Sequence, residues 1–155
     1  MKAEKLIADY KSKGWSLDIY EQLFELAANN PEDVYEFASL FLDDFSKNST
    51  IFNDSLSYIT KEHFSLLIAK AIDILKTTEN ECAENVIEHA SLQFPDLLND
   101  FLDILFELKP NWSAYYSNYP WRGASKEQIT VFKEKFFNPE TSTDEKKELF
   151  GCLLQ

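Results

Sequence analysis

Apolar residues recur along this chain at intervals of three and four, the spacing that places side chains on one face of an α-helix. Residues 61–76 are a clear example, because Phe64, Ile68 and Ile72 follow one another at steps of four. No stretch shows a convincing alternation of apolar and polar residues, the mark of a β-strand. The chain also contains only 3 Gly and 5 Pro. The pattern therefore predicts an all-α protein of seven or eight helices.

Capping residues set the boundaries of the predicted helices. Ser16 and Thr60 each precede an apolar repeat, and Asn30 precedes a proline at the first helical position. Thr78 and Glu81 have the spacing of a capping box. We expect helices at about residues 3–12, 17–28, 31–46, 61–76, 79–93, 95–108, 126–137 and 143–154, with one further helical turn within 47–59.

The second predicted helix carries a broad set of apolar residues opposite a row of carboxylates. The spacing predicts a buried face made of Leu17, Tyr20, Leu23, Phe24 and Ala27. The carboxylates that face solvent are Asp18, Glu21 and Glu25. This helix is therefore expected to lie on the core as an amphipathic surface helix.

Three consecutive predicted helices between residues 61 and 108 are joined by tight connections at 77–78 and 94–95. In this arrangement they resemble the helical pairs of HEAT-like solenoids. At 155 residues the chain suits one domain with a sizeable core. We therefore expect a single all-helical domain spanning residues 1–155, built as a helical bundle or as a short HEAT-like α-solenoid.

The charge of the chain is strongly negative and unevenly distributed. The net charge is −12, while 45% of the residues are hydrophobic, which favours a folded acidic protein over a disordered one. Residues 1–60 hold 11 acidic and 5 basic residues, residues 61–110 hold 10 and 4, and residues 111–155 hold 6 of each. The excess negative charge therefore lies in residues 1–110. This charge would repel phosphates, so it argues against binding to nucleic acid or to an anionic membrane and favours a basic protein partner.

The most concentrated carboxylates lie between residues 77 and 108, where no Lys or Arg stands among them. In the predicted helix 95–108 they fall at steps of four, three and four, so that on an α-helix they share one face. Soluble helices often turn a carboxylate face to water, but they usually mix both signs of charge. The uncompensated carboxylates are therefore candidates for binding a basic partner. These candidates are Glu81, Glu84, Glu88, Asp96, Asp100, Asp103 and Glu107.

Residues 111–123 are rich in aromatic side chains and hold the only arginine of the protein. Aromatic residues and arginine supply much of the affinity of protein interfaces, which makes this segment a candidate source of anchors. The candidate anchors are Tyr115, Tyr116, Tyr119, Trp121 and Arg122. The alternative is that these rings close one end of the core, with Arg122 paired to a carboxylate or stacked on a ring.

No stretch of the sequence carries a motif for catalysis or for a metal. His63 and His89 each follow a Glu, but neighbours on a helix point about 100° apart and do not form an acid and imidazole pair. Cys82 and Cys152 lack metal-ligand spacing, and residues 44–55 lack the glycine and the final glutamate of a calcium loop. We therefore expect no enzyme activity, no cofactor and no metal site, and two reduced, largely buried thiols.

The chain shows no signal for export or for membrane insertion. The first nine residues lack the apolar core of a secretory signal, and the apolar run at 64–75 is too short to cross a bilayer. We expect a cytoplasmic protein, and a monomer in the absence of its partner.

A small, acidic, all-helical chain without catalytic motifs resembles the immunity proteins of bacterial toxin systems, including contact-dependent growth inhibition. The resemblance implies a stoichiometric complex with a cationic toxin domain, often a nuclease, whose active site or substrate groove is blocked. The candidate carboxylates would then stand in place of substrate phosphates. The alternative is a HEAT-like scaffold or adaptor, either alone or as part of a longer protein, that binds a partner protein or peptide in a concave groove.

Overall fold

The computed structural model describes residues 2–101, 104, 130, 134 and 138–144. Six α-helices and one 3-10 helix form within these residues, and none of them lies in a β-strand. The prediction of an all-α protein is therefore confirmed for the described part of the chain. The helices are α1 (Lys2–Lys13), α2 (Leu17–Asn29), α3 (Pro31–Asp44), α4 (Thr50–Leu56), α5 (Lys61–Leu75) and α6 (Glu81–Gln93), followed by the 3-10 helix Pro95–Phe101.

The chain divides into two compact units, Met1–Val86 and Ile87–Gln155, and the boundary falls inside α6. The first unit contains α1 to α5 and the first turns of α6. The described part of the second unit contains the remainder of α6, the 3-10 helix and a short segment at 138–144.

Helix α3 is the centre of the first unit, because it packs against α1, α2, α4 and α5. Its buried residues form one broad face, in which Phe37 and Phe41 are fully buried. The Phe41 ring lies 5.0 Å from the ring of Phe52 on α4 and 4.3 Å from that of Phe45, measured between centroids. A stack of aromatic rings thus joins α3 to its neighbours, and Tyr10 of α1 extends it at 5.5 Å from Phe41.

Helix α2 presents a different face to the core from the one predicted. Its buried residues are Ile19, Leu23 and Leu26, whereas 69% of Leu17 and 46% of Phe24 is exposed. The prediction was therefore wrong for Leu17 and Phe24 and right for Leu23. The reason is that α2 carries two apolar stripes with helical spacing, and spacing alone does not tell which stripe packs inward.

The predicted caps of α2 and α5 are confirmed, but α6 begins differently. Thr60 Oγ1 accepts the His63 N–H at 3.4 Å, as expected of a cap. At α6 the cap is Asn80 rather than Thr78, since Asn80 Oδ1 accepts the Ala83 N–H at 2.9 Å. The helix therefore starts at Glu81, two residues later than predicted.

Candidate protein-binding surfaces

Glu81, the first of the candidate carboxylates, is held by the connection between α3 and α4. Its side chain is exposed, but its carboxylate accepts the Asn48 N–H at 3.1 Å. Its own backbone N–H donates to the Ser46 carbonyl at 2.7 Å. Glu81 therefore fastens the start of α6 to this connection, whatever else it binds.

Two further hydrogen bonds fasten the same connection. Asn80 Nδ2 donates to the Phe45 carbonyl at 3.3 Å, and the Cys82 thiol donates to the Lys47 carbonyl at 3.1 Å. Burial raises the pKa of Cys82 to about 12, with a smaller contribution from the charge of Glu81. Cys82 is thus a reduced, buried thiol, as predicted, and Cys152 lies outside the described residues.

The outer side of α6 combines carboxylates with an exposed leucine. Glu84 and Glu88 are half-buried and stand four residues apart. Leu92 follows four residues after Glu88 and is 56% exposed. Glu88 forms no ion pair among the residues that the structure describes. Residues four apart are neighbours on a helix, so Glu88 and Leu92 offer an anion and an apolar contact side by side.

Asp96 and Asp100 lie in a 3-10 helix, where an α-helix was expected. The Leu97 N–H donates to the Phe94 carbonyl at 2.9 Å, the three-residue spacing of that helix type. With three residues per turn, positions 96 and 100 point about 120° apart rather than sharing a narrow face. Both side chains are exposed, and Asp100 forms no ion pair with described residues.

The remaining candidates fall outside the described residues, so their placement stays a prediction. They are Asp103, Glu107, Tyr115, Tyr116, Tyr119, Trp121 and Arg122.

Several lysines of the first unit pair with acids other than the candidates. Lys70 Nζ lies 2.9 Å from Asp43 and also donates to the Ser39 carbonyl and hydroxyl, so that it fastens α5 to α3. Lys11 pairs with Asp44 at 2.8 Å. Longer and more exposed pairs join Lys13 to Asp18 and Lys76 to Asp73. These lysines therefore compensate charge on α2, α3 and α5, and none of the four pairs with Glu88 or Asp100.

The exposed stripe of α2 continues to Tyr58, just after α4, and the sequence analysis did not predict it. The ring of Phe24 lies 4.9 Å from that of Tyr20 and 6.0 Å from that of Tyr58, just after α4. We call Leu17, Tyr20, Phe24 and Tyr58 the α2 face. The sequence signal that could have found it is the doubled apolar pattern of α2, which holds more large apolar residues than one buried stripe requires.

A small cleft with a volume of about 200 Å³ lies on the first unit between α1, α2 and the start of α3. Leu6 and Leu26 contribute apolar surface to it, and its polar lining carries both signs of charge. The polar lining residues are Lys2, Lys5, Gln22, Glu25, Asn29, Asn30 and Asp33. Because the charges are mixed, the cleft does not select a ligand of one sign.

The two histidines occupy separate environments. The His63 ring stacks on the Tyr35 ring at 5.0 Å between centroids, and its Nδ1 lies 3.2 Å from Thr60 Oγ1. His89, on α6, is half-buried, and this burial lowers its pKa from the usual 6.5. Among the described residues, no group of His, Cys, Asp and Glu is placed to hold a metal ion.

The lowered pKa of His89 predicts a loss of stability in mild acid. The unfolded chain takes up a proton near pH 6.5, whereas the folded chain does so only at lower pH. The free energy of unfolding should therefore fall as the pH drops below about 6.5, by at most about 1.4 kcal/mol per pH unit, until the folded-state pKa is passed. Urea unfolding between pH 7.5 and about 5 measures this slope.

The variant His89→Gln should flatten that slope, and His63→Gln, which leaves His89 in place, should keep it. An equal slope in wild type and His89→Gln would show that burial of His89 does not control it.

No helix in the described part of the chain has both the length and the apolar character needed to cross a membrane. Comparison of the chain with protein-family models, curated protein sequences and solved structures found no match.

Proposed function

We propose that the protein binds a basic protein partner and inhibits it. The observation that carries this proposal is the outer side of α6, where Glu88, which forms no ion pair with any described residue, stands one turn before the exposed Leu92. In the second unit, Asp100 adds another carboxylate that has no ion pair among the described residues. In a chain with a net charge of −12, these groups are suited to attract and contact a cationic surface.

Charge and apolar contact contribute differently to such a complex. Uncompensated carboxylates speed the encounter with a cation and determine how binding depends on salt. A few buried apolar or aromatic contacts supply most of the affinity. Leu92 is such an anchor on α6, and the aromatic segment 111–123 is proposed to supply others.

The kind of inhibitor we propose is a cytoplasmic immunity protein of a bacterial toxin system, such as contact-dependent growth inhibition. Its carboxylates would occupy the place of substrate phosphates in the active site or groove of a cationic toxin domain. The partner would be a nuclease or another enzyme with a basic groove. A seven- or eight-helix domain that includes the predicted C-terminal helices is part of this proposal.

A second candidate function is a HEAT-like scaffold or adaptor. The specific observation that favours it is the α2 face, a row of exposed apolar side chains on a helical surface. Such an adaptor would bind its partner through the α2 face, so substitutions of Leu17 and Phe24 would weaken the complex. A complex that is weakened by charge reversal at Glu88 and Asp100, and not by substitutions on the α2 face, favours the inhibitor instead.

The neighbouring reading frame offers the first test of the inhibitor. We expect its product to arrest growth when expressed alone, and to be tolerated and to copurify in a one-to-one complex when this protein is coexpressed. A neighbouring product that neither arrests growth nor forms a complex would contradict the proposal.

Charge reversal on the second unit tests the surface. We expect the variant Glu88→Lys with Asp100→Lys to associate with that product about tenfold more slowly, with a flatter dependence on salt. The measurement is stopped-flow or surface-plasmon kinetics over a series of ionic strengths.

The control for this variant is Glu32→Lys with Glu62→Lys, which changes the net charge equally at exposed positions on α3 and α5. Equal slowing in both variants would mean that only the total charge matters, and unchanged kinetics in both would show that Glu88 and Asp100 are solvated groups without a role in binding.

A further inference from the structure

The α2 face is an organised apolar surface rather than a set of scattered exposed residues. Leu17, Tyr20 and Phe24 fall within an arc of about 60° on α2. Phe24 bridges to Tyr58 beyond α4, with centroid distances typical of interacting rings. The face therefore extends across two elements of the same unit.

A hydrogen bond between α2 and α4 fixes the position of one ring of the α2 face. The Tyr20 hydroxyl donates to Asp54 Oδ2 on α4, which holds the α2 ring against the neighbouring helix. The same hydrogen bond raises the pKa of the Tyr20 phenol above 10.0, so that the hydroxyl stays protonated and continues to donate. The aromatic row is thus preorganised, and a partner would not have to order it on binding.

One border of the face is anionic. Glu21 and Glu25 lie on the next positions around α2, and both are exposed. Neither forms an ion pair with any residue that the structure describes. Like charges four residues apart on a helix repel each other, and a cation that binds between Glu21 and Glu25 would reduce this repulsion.

These features define the chemistry of the occupant. We propose that the α2 face binds an amphipathic helical segment of a partner protein, with apolar residues that cover Leu17, Phe24 and Tyr58 and with Lys or Arg that meet Glu21 and Glu25. This inference goes beyond the proposed inhibitor, because the α2 face lies in the first unit and includes none of the carboxylates of the second. For the adaptor, it names the chemistry of the partner.

Charge complementarity decides between this occupant and the other possible ones. A second copy of the chain would bring Glu21 and Glu25 toward the same residues of another acidic protein, and like charges would oppose the contact. An anionic lipid surface would be repelled in the same way. A basic amphipathic helix satisfies both the apolar row and its border.

The test uses a synthetic probe. The probe is an 18-residue peptide in which Leu recurs at steps of three and four and Lys occupies the other positions. Calorimetry and NMR amide shifts on the full-length protein would measure its binding. We expect the largest shifts along α2 and at residues 57–59, and at least tenfold weaker binding of an isomer with the same composition in scrambled order.

Matched variants locate the binding surface. Leu17→Ser with Phe24→Ser should weaken binding of the probe at least about tenfold, whereas Leu66→Ser, at an exposed leucine on α5, should leave it unchanged. Glu21→Gln with Glu25→Gln should weaken binding several-fold and flatten its salt dependence. Because all these side chains are exposed, circular dichroism melting should show the fold retained.

Three results would overturn the inference. They are equal binding of the scrambled isomer, unchanged binding by Leu17→Ser with Phe24→Ser, and a dimer in sedimentation equilibrium that this variant dissolves. The second of these results, combined with loss of probe binding in Glu88→Lys with Asp100→Lys, would leave the proposed function in place. If the probe binds at α2 and the neighbouring gene product does not bind at all, the proposed function fails and this inference stands.

Discussion

Replacing Phe41 by Ala is expected to lower the free energy of unfolding by about 4 kcal/mol. Phe41 is fully buried at the centre of the first unit, and its ring contacts those of Phe37, Phe45 and Phe52. Phenylalanine-to-alanine changes in cores remove about 3–5 kcal/mol, because burial is lost and the surrounding side chains only partly fill the cavity. Since natural domains are stable by about 5–15 kcal/mol, this is a large fraction of the total.

The matched control is Phe24→Ala, which makes the same change on the exposed α2 face. Its cost should be below about 1 kcal/mol, because nearly half of Phe24 already contacts solvent. Urea unfolding followed by far-ultraviolet circular dichroism gives both values. Similar costs at the two positions would show that Phe41 does not occupy the centre of the core.

Replacing Asn80 by Ala is expected to cost about 2 kcal/mol. The change removes the cap on the Ala83 N–H, worth about 1 kcal/mol. It also deprives the Phe45 carbonyl of its donor, and an unpaired, partly buried carbonyl costs about 1 kcal/mol more. Both losses act at the same junction between α6 and the α3–α4 connection.

Two further substitutions separate these contributions. Asn80→Ser keeps a neutral capping oxygen and loses the amide donor, so it should cost about half as much as Asn80→Ala. Thr78→Ala removes the cap expected from the sequence, and it should change the free energy of unfolding by less than about 0.5 kcal/mol. A larger cost for Thr78→Ala than for Asn80→Ala would place the start of α6 where the sequence predicted it.

Most helices of the described part were predictable because each buries a single stripe. On α3 and α5 the apolar residues recur with one period, and the buried residues are those that the period selects. Helix α2 carries a second stripe, and the choice between them depends on how α2 packs against α1 and α3. That choice is made by tertiary packing, which a local pattern does not contain.

The start of α6 was mispredicted for a similar reason. Thr78 and Glu81 have the spacing of a capping box, and Asn80 is an equally good local cap. Asn80 prevails because its amide also satisfies the Phe45 carbonyl, 35 residues earlier in the chain. The sequence around Asn80 does not show that its partner is a carbonyl 35 residues away.

The candidate carboxylates were identified by charge, whereas their arrangement depended on helix type. Glu84 and Glu88 keep the spacing of an α-helix, as predicted. Asp96 and Asp100 lie in a 3-10 helix, in which the same sequence spacing no longer places them on one face. Pro95, the first residue of this 3-10 helix, provides no N–H. The spacing of residues on a regular α-helix does not predict the tighter turn that follows it.

The hydrogen bonds that join the connection between α3 and α4 to residues 80–82 use main-chain atoms of the connection. The four bonds reach the carbonyls of Phe45, Ser46 and Lys47 and the N–H of Asn48. Substitutions of the side chains at 46 and 47 should therefore leave these bonds intact, whereas proline at position 48 would remove the N–H that the Glu81 carboxylate accepts. The side chains that this junction requires therefore belong to residues 80–82, whereas the connection contributes the positions of its main-chain atoms.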